Sequence, residues 1–289
     1  MEKSANTNAS NTTAGATSAN VNKAVAKNRQ TGIAVIDPAV LEKDAGAGLS
    51  QVTSQDLSIP RLKVLMQLSP ECNKSKPSYI EGAQPGMILN TVTQELYDGD
   101  DGVLVVPCAF VPTYSEWSPL GSGSSAPESV YSGKSDILTK TTRDPKTNKD
   151  MLPNGNYIQR DANHFVLVLS RDGSTAQEAL ITFKSTGLKT SKKWLSLQQS
   201  AVIEGEKGKV FTAPAFAFTY KLGTIQESND KGTWVAWTVN RENRLESANV
   251  YNQAKSLHGK IELGEVSIIK EPAQLPNEKS KQENEDIPF

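Results

Sequence analysis

Soft metal ligands are scarce in this chain. Its 289 residues include two cysteines, Cys72 and Cys108, and two histidines, His164 and His258, with no C-x-x-C pair and no metal-ligand spacing. That excludes a zinc module and gives no grounds for a disulfide framework, so both cysteines read as small buried hydrophobes. Long apolar runs are also missing, so no membrane span is expected. The first residues are Asn-, Thr-, Ala- and Ser-rich without an apolar centre, unlike a signal peptide, and the sequon at Asn11-Thr12-Thr13 then has no bearing. Grouped carboxylates are missing too. The one acidic cluster, Asp98-Gly99-Asp100-Asp101-Gly102, departs from the calcium-loop spacing and reads as a solvated hairpin turn. Gly121-Ser122-Gly123 is too short to be a phosphate loop. A nuclease or polymerase needs carboxylates gathered around metal ions. The expectation is therefore a protein that is not an enzyme, with no catalytic residue, no metal and no cofactor, working in a cytoplasm.

Charge of one sign is also lacking, since the net charge is −1. Its distribution is uneven, however. Residues 1–30 carry +3, residues 31–154 carry −5, residues 155–270 carry +4 and residues 271–289 carry −3. A near-neutral sum thus hides a basic second half, and a local basic strip is what a nucleic acid responds to.

Residues 1–30 hold almost no large apolar side chains and cannot offset their ordering entropy, so a disordered N-terminal arm is expected. Residues 31–58 are transitional, with a helix-like Asp37-Pro38-Ala39-Val40-Leu41. Residues 59–270 form the packed domain, and residues 271–289 a disordered acidic tail. Within the domain, Leu62, Leu65, Met66 and Leu68 suggest a short amphipathic helix. Met87–Leu89 and Val103–Trp117 read as strands, with Pro107 and Pro112 demanding bulges or an edge. Residues 118–160 read as a long flexible loop. Phe165–Ser170 and Ala179–Phe183 form a hairpin through Arg171-Asp172-Gly173. A helix over Lys189–Ile203 follows, then strands Phe211–Leu222 and Thr233–Val239, and a closing helix near Ser247–Leu257. The fold class is mainly β: an OB-fold-like barrel with one or two helices, the helix entering before the last two strands.

Binding a single strand without reading its sequence takes cations for phosphates and aromatic faces for bases. The stretch Lys184–Trp194 supplies Lys184, Lys189, Lys192, Lys193 and the indole of Trp194, and no carboxylate lies between Glu178 and Glu204. In Thr233–Val239 the side chains alternate. Val235, Trp237 and Val239 are assigned to the core, and Trp234 to the open face as a base-stacking residue. In the partner strand Phe216, Phe218 and Tyr220 are assigned to the core and Lys221 to the groove. Arg241 and Arg244 extend the positive strip, with Tyr114 and Trp117 as weaker aromatic candidates. The DNA-binding set is Lys184, Lys189, Lys192, Lys193, Trp194, Lys221, Trp234 and Arg241.

The chain ends in Glu285-Asp286-Ile287-Pro288-Phe289, an acidic string with an apolar tip that suits a pocket ringed by Arg or Lys. This ending resembles the acidic tip of bacterial single-stranded DNA-binding proteins. The body is similar to bacteriophage-encoded single-stranded DNA-binding proteins at Ile59-Pro60-Arg61-Leu62, Ser69-Pro70, Gly82-Ala83-Gln84-Pro85-Gly86, Asn90-Thr91-Val92-Thr93 and Val106-Pro107-Cys108 to Glu116-Trp117. The resemblance implies an OB fold, non-catalytic coating of single-stranded DNA in phage replication, recombination or repair, and a place in the host cytoplasm. It also implies recruitment of polymerase-, helicase-, primase- or recombinase-type proteins through Glu285–Phe289. Homo-oligomerisation is left open, and no membrane partner is expected. The alternatives are a strand-annealing recombination protein and a virion-associated interaction protein without DNA-binding activity.

Overall fold

Runs apolar at every position, such as Val103-Leu104-Val105-Val106 and Phe165-Val166-Leu167-Val168-Leu169, suit strands covered on both faces. They form the two central strands of the protein. The computed structural model describes residues 36–52, 58–119, 121–122, 126–173, 175–230 and 232–268, and the chain divides into two units, Met1–Gln51 and Val52–Phe289. In the first unit the helix-like stretch forms α1 (Pro38–Lys43), where Asp37 Oδ1 accepts from Ala39 N at 2.9 Å and Pro38 takes the first turn. The expected N-terminal arm, residues 1–30, lies outside the described residues.

The second unit begins with β1 (Leu62–Val64), β2 (Ile88–Asn90), β3 (Leu96–Tyr97) and β4 (Val103–Trp117). Next come β5 (Ser129–Ser132), β6 (Thr142–Arg143), β7 (Asp150–Met151), β8 (Tyr157–Leu169) and β9 (Ala176–Lys184). After α2 (Leu188–Gln199) follow β10 (Val202–Glu204), β11 (Val210–Thr212), β12 (Phe218–Asn229), β13 (Gly232–Arg244) and α3 (Ala248–Glu262). The fold is mainly β. An antiparallel sheet curls into a half barrel in the order β13-β12-β4-β8-β9, with β5 on the far half of β4 and β7-β6 on the far end of β8. A smaller sheet, β1-β2-β3, stands beside it. Its lead-in reaches the open edge of β9, where Leu180 N donates to Pro60 O at 2.7 Å and Arg61 forms a parallel bridge to Leu180.

The two faces of the sheet carry separate cores. On one, Val105, Val166, Ile181, Phe183, Tyr220, Leu222 and Val239 pack with Trp194 of α2. On the other, Val106, Cys108, Leu167 and Phe216 pack with Val250, Ala254 and Leu257 of α3. The positions i, i+4 and i+7 of α3 form its apolar stripe, and Ser247 Oγ caps it by accepting from Val250 N.

Several expectations change. Leu62–Leu68 is not a helix: Leu62, Lys63 and Val64 pair with Asn90, Leu89 and Ile88, because ladder bonds and burial of Leu62 and Leu65 outweigh helical spacing. Residues 118–160 are not a long flexible loop throughout, since Ser129–Ser132 pairs with Thr113–Glu116, Asp150–Met151 pairs with Tyr157 and Ile158, and Thr142–Arg143 pairs in turn with Asp150–Met151. Buried Glu116 anchors them, accepting from Tyr131 Oη at 2.5 Å, Asn156 Nδ2 at 2.6 Å and Asn154 Nδ2 at 3.2 Å. The Phe211–Leu222 strand is broken at Pro214, which leads into a 3-10 turn over Ala215–Ala217 and splits it into β11 and β12. The Asp98–Gly102 turn joins β3 to β4, which belong to different sheets, so it is not a hairpin. The bulge expected at the prolines lies between Pro107 and Ala109.

Candidate nucleic-acid interface

The end of β9 and the start of α2 bring the Lys184–Trp194 stretch against β1 and β13, and between them lies a cleft of about 330 Å³. Arg61 and Lys63 stand on one wall, Lys184 and Lys189 on another, and Trp237 lines a third, with Thr182, Thr186 and Thr190 between them. Glu227 is the carboxylate among the lining residues. The first turn of α2 opens here, so the positive end of its dipole adds to the field. Thr190 Oγ1 donates to Trp237 O at 3.0 Å and ties α2 to β13.

These cations are not equally free. Lys63 Nζ donates to Glu71 Oε1 at 2.6 Å. Burial raises the Glu71 carboxyl, but Lys63 and a backbone hydrogen bond outweigh it and hold the group below its ordinary range. Lys184 lies 3.5 Å from Asp161 Oδ2 and 4.9 Å from the centre of the Trp117 ring. Burial pushes the Asp161 carboxyl up, and Ser115, Lys184 and Arg61 offset that only in part. Lys189, Lys192 and Lys193 are exposed, and none of them has an ion-pair partner among the described residues. Their i, i+3 and i, i+4 spacing puts the three lysines on one side of α2.

Next to this cleft runs a larger groove of about 790 Å³, and Met66 and Val235 line both. Trp234 lines the groove together with Leu68, Pro85, Met87 and Ile225. Trp234 is half-buried, and its Nε1 has no acceptor among the described residues.

The expected DNA-binding residues therefore divide. Lys184 and Lys189 line the basic cleft, Lys192 and Lys193 continue from it along α2, and Trp234 sits in the adjoining groove. Trp194 is withdrawn as a stacking residue. It is fully buried, stacked on His164 at 4.5 Å and 11°, and surrounded by Phe183 and Tyr220. At i+5 from Lys189 it turns inward with Ser191, whose Oγ lies 2.7 Å from His164 Nε2. Lys221 also lies elsewhere, in a cleft it lines with Arg171 and with Glu95, Asp98, Asp101 and Glu242, where four carboxylates outnumber the two cations. Arg241 is exposed near the far end of β13, 5.3 Å from the Phe218 ring, and does not line the basic cleft. Tip residues Glu285, Asp286, Ile287, Pro288 and Phe289 lie outside the described residues.

Arg61 and Lys63 join the site from positions that sequence spacing did not single out, and Trp237 from one it assigned to the core. Trp237 packs edge-on to Phe183 at 5.9 Å, as its core assignment requires, yet also lines the cleft. Arg61 is separated from Lys184 by more than a hundred residues, and the pairing of Pro60 and Arg61 with Leu180 of β9 brings them together.

Fold and cleft together define a mainly β protein with a basic groove beside an aromatic one. The chain belongs to the Pam3 phage gp34-like protein family, a phage family whose match covers residues 27–267. No curated protein and no solved structure matches it. Among the described residues, no helix is long and apolar enough to cross a membrane.

Proposed function

We propose that this protein binds and coats single-stranded DNA without catalysis, serving phage replication, recombination or repair in the host cytoplasm. The observation that carries this reading is the pairing of two adjoining surfaces. One is a cleft with Arg61, Lys63, Lys184, Lys189 and Trp237 on its walls, and the other a groove holding Trp234. Phosphates would track the first and the exposed lysines of α2, while bases reach the indoles. We read the curled sheet as an OB-type barrel opened between β9 and β13. In favour are the β4-β8-β9 meander, the helix α2 after it, and a final hairpin whose first strand returns to β4. The tip Glu285–Phe289 recruits replication and recombination proteins, its carboxylates meeting Arg or Lys around an apolar pocket.

The test is a titration of the full chain with poly(dT), following tryptophan fluorescence at several salt concentrations. The reading expects quenching and an affinity that falls linearly in log–log form with salt. A chain that neither quenches nor binds overturns it.

A further inference from the structure

We infer that the Trp234 groove is a nucleobase subsite that favours bases with an amino group at C4 of a pyrimidine or C6 of a purine, cytosine and adenine, over thymine, which carries a carbonyl there. The inference rests on the proposed binding of single strands and adds a selectivity to it.

Three observations lead there. The first is charge. The groove has Asp98 and Asp100 on its walls and no Lys or Arg among its lining residues, whereas the adjoining cleft has four cations. A phosphate is repelled from the former and held by the latter. A nucleotide whose phosphate sits in the cleft thus offers its neutral base, not its backbone, to the groove across the shared Met66 and Val235.

The second is the chemistry of the walls. Met66, Leu68 and Ile225 are exposed apolar side chains, and with the Trp234 indole they present surfaces suited to the flat faces of a base. Gln67, Gln84 and Gln226 provide amides that donate and accept, and so serve any base edge. The carboxylates only accept. They pair with the N4 amino group of cytosine or the N6 amino group of adenine, and repel the O4 that thymine shows at the same edge.

The third is preorganisation. Asp98 Oδ1 accepts from Asp100 N at 2.8 Å and Asp101 N at 3.2 Å, closing the turn, while Oδ2 has no partner among the described residues. Thr224 fastens this turn to β12: its N donates to Gly99 O at 2.9 Å and its Oγ1 to Gly86 O at 2.6 Å. A Cβ at Gly99 would overlap both Thr224 Oγ1 and Gly86 O, so the two turns meet where only glycine fits. The acceptors therefore stand in place before a base arrives.

The experiment measures binding of the full chain to matched dC, dA and dT oligonucleotides by fluorescence anisotropy at one salt concentration. It is then repeated with Asp98→Asn, Asp100→Asn and Trp234→Ala, each checked for an unchanged thermal melt. Asn keeps the turn-closing acceptor, so the fold is retained. Expected are dC and dA affinities about 5-fold or more above dT, a ratio that collapses towards 1 in the Asn variants, and an affinity loss of about 5-fold or more for every oligonucleotide in Trp234→Ala. Binding that persists with a dC-to-dT ratio unmoved by either Asn variant overturns the subsite and leaves the proposed function standing. Absence of binding to all three oligonucleotides overturns the proposed function and the subsite with it.

Discussion

Replacing Lys189, Lys192 and Lys193 together by Ala removes the cations of α2 that have no ion-pair partner among the described residues, while leaving Lys184 on Asp161 and Lys63 on Glu71. Each phosphate contact to a single strand contributes about 0.7 to the slope of log affinity against log salt. Loss of three contacts should flatten that slope by about 2. Between 50 and 200 mM salt, wild-type affinity should then fall about 20-fold more steeply than that of the triple variant. Stability should change little, because exposed substitutions away from special contacts stay within about 0.5 kcal/mol. The assay is anisotropy of a labelled dT oligonucleotide across that salt range, with a denaturant melt of both proteins. An equal slope in the two, with both folded, refutes the placement of phosphates along α2. A lower affinity at an unchanged slope would also refute it, since that would trace the loss to something other than released counterions.

His164 is buried neutral, and burial pulls its pKa down from 6.5 to about 3. The folded state therefore binds fewer protons than the unfolded one between those values, and stability should fall as pH drops through 6.5, by about 1.4 kcal/mol per unit. Urea melts at pH 7 and pH 5 should show a loss of about 2 kcal/mol that His164→Gln lacks; equal pH dependence in both proteins counts against a neutral buried ring. Trp194→Ala should cost about 3–5 kcal/mol, read as a shifted denaturation midpoint, because it empties the core beneath α2. An unchanged midpoint would return Trp194 to the surface. Deleting residues 281–289 should leave the melt unchanged and abolish capture of replication proteins by the tail, and retained capture would move the docking peptide elsewhere.

Much of the architecture was legible because it depends on local periodicity. Val103–Trp117, rich in β-branched and aromatic residues, forms a strand with the boundaries expected, the Arg171-Asp172-Gly173 turn closes the β8–β9 hairpin with Gly173 at φ 70°, and Ser247 caps the last helix. Lys189, Lys192 and Lys193 were legible as a basic helix face for the same reason. Where competition between distant segments decides, the sequence was silent or misleading. Leu62, Leu65, Met66 and Leu68 have helical spacing, yet Leu62–Val64 extends because β2 offers it a ladder. Trp194 follows two lysines in the chain, but helical rotation buries it against His164 and β12.

The amino-acid sequence alone determined the mainly β class, the segregation of charge and the composition of the terminal segments, since each is a property of neighbours along the chain. It also carried the Glu285–Phe289 ending, whose chemistry needs no fold. Only the tertiary structure decided which cations share a cleft. Arg61, Lys184, Lys189 and Trp237 converge because β1 leans on the open edge of β9 while α2 is tied to β13. Lys221 and Arg241, equally basic on paper, were carried away from it by the register of β12 and β13. Coulomb attraction depends on distance in space, and the sequence records distance along the chain.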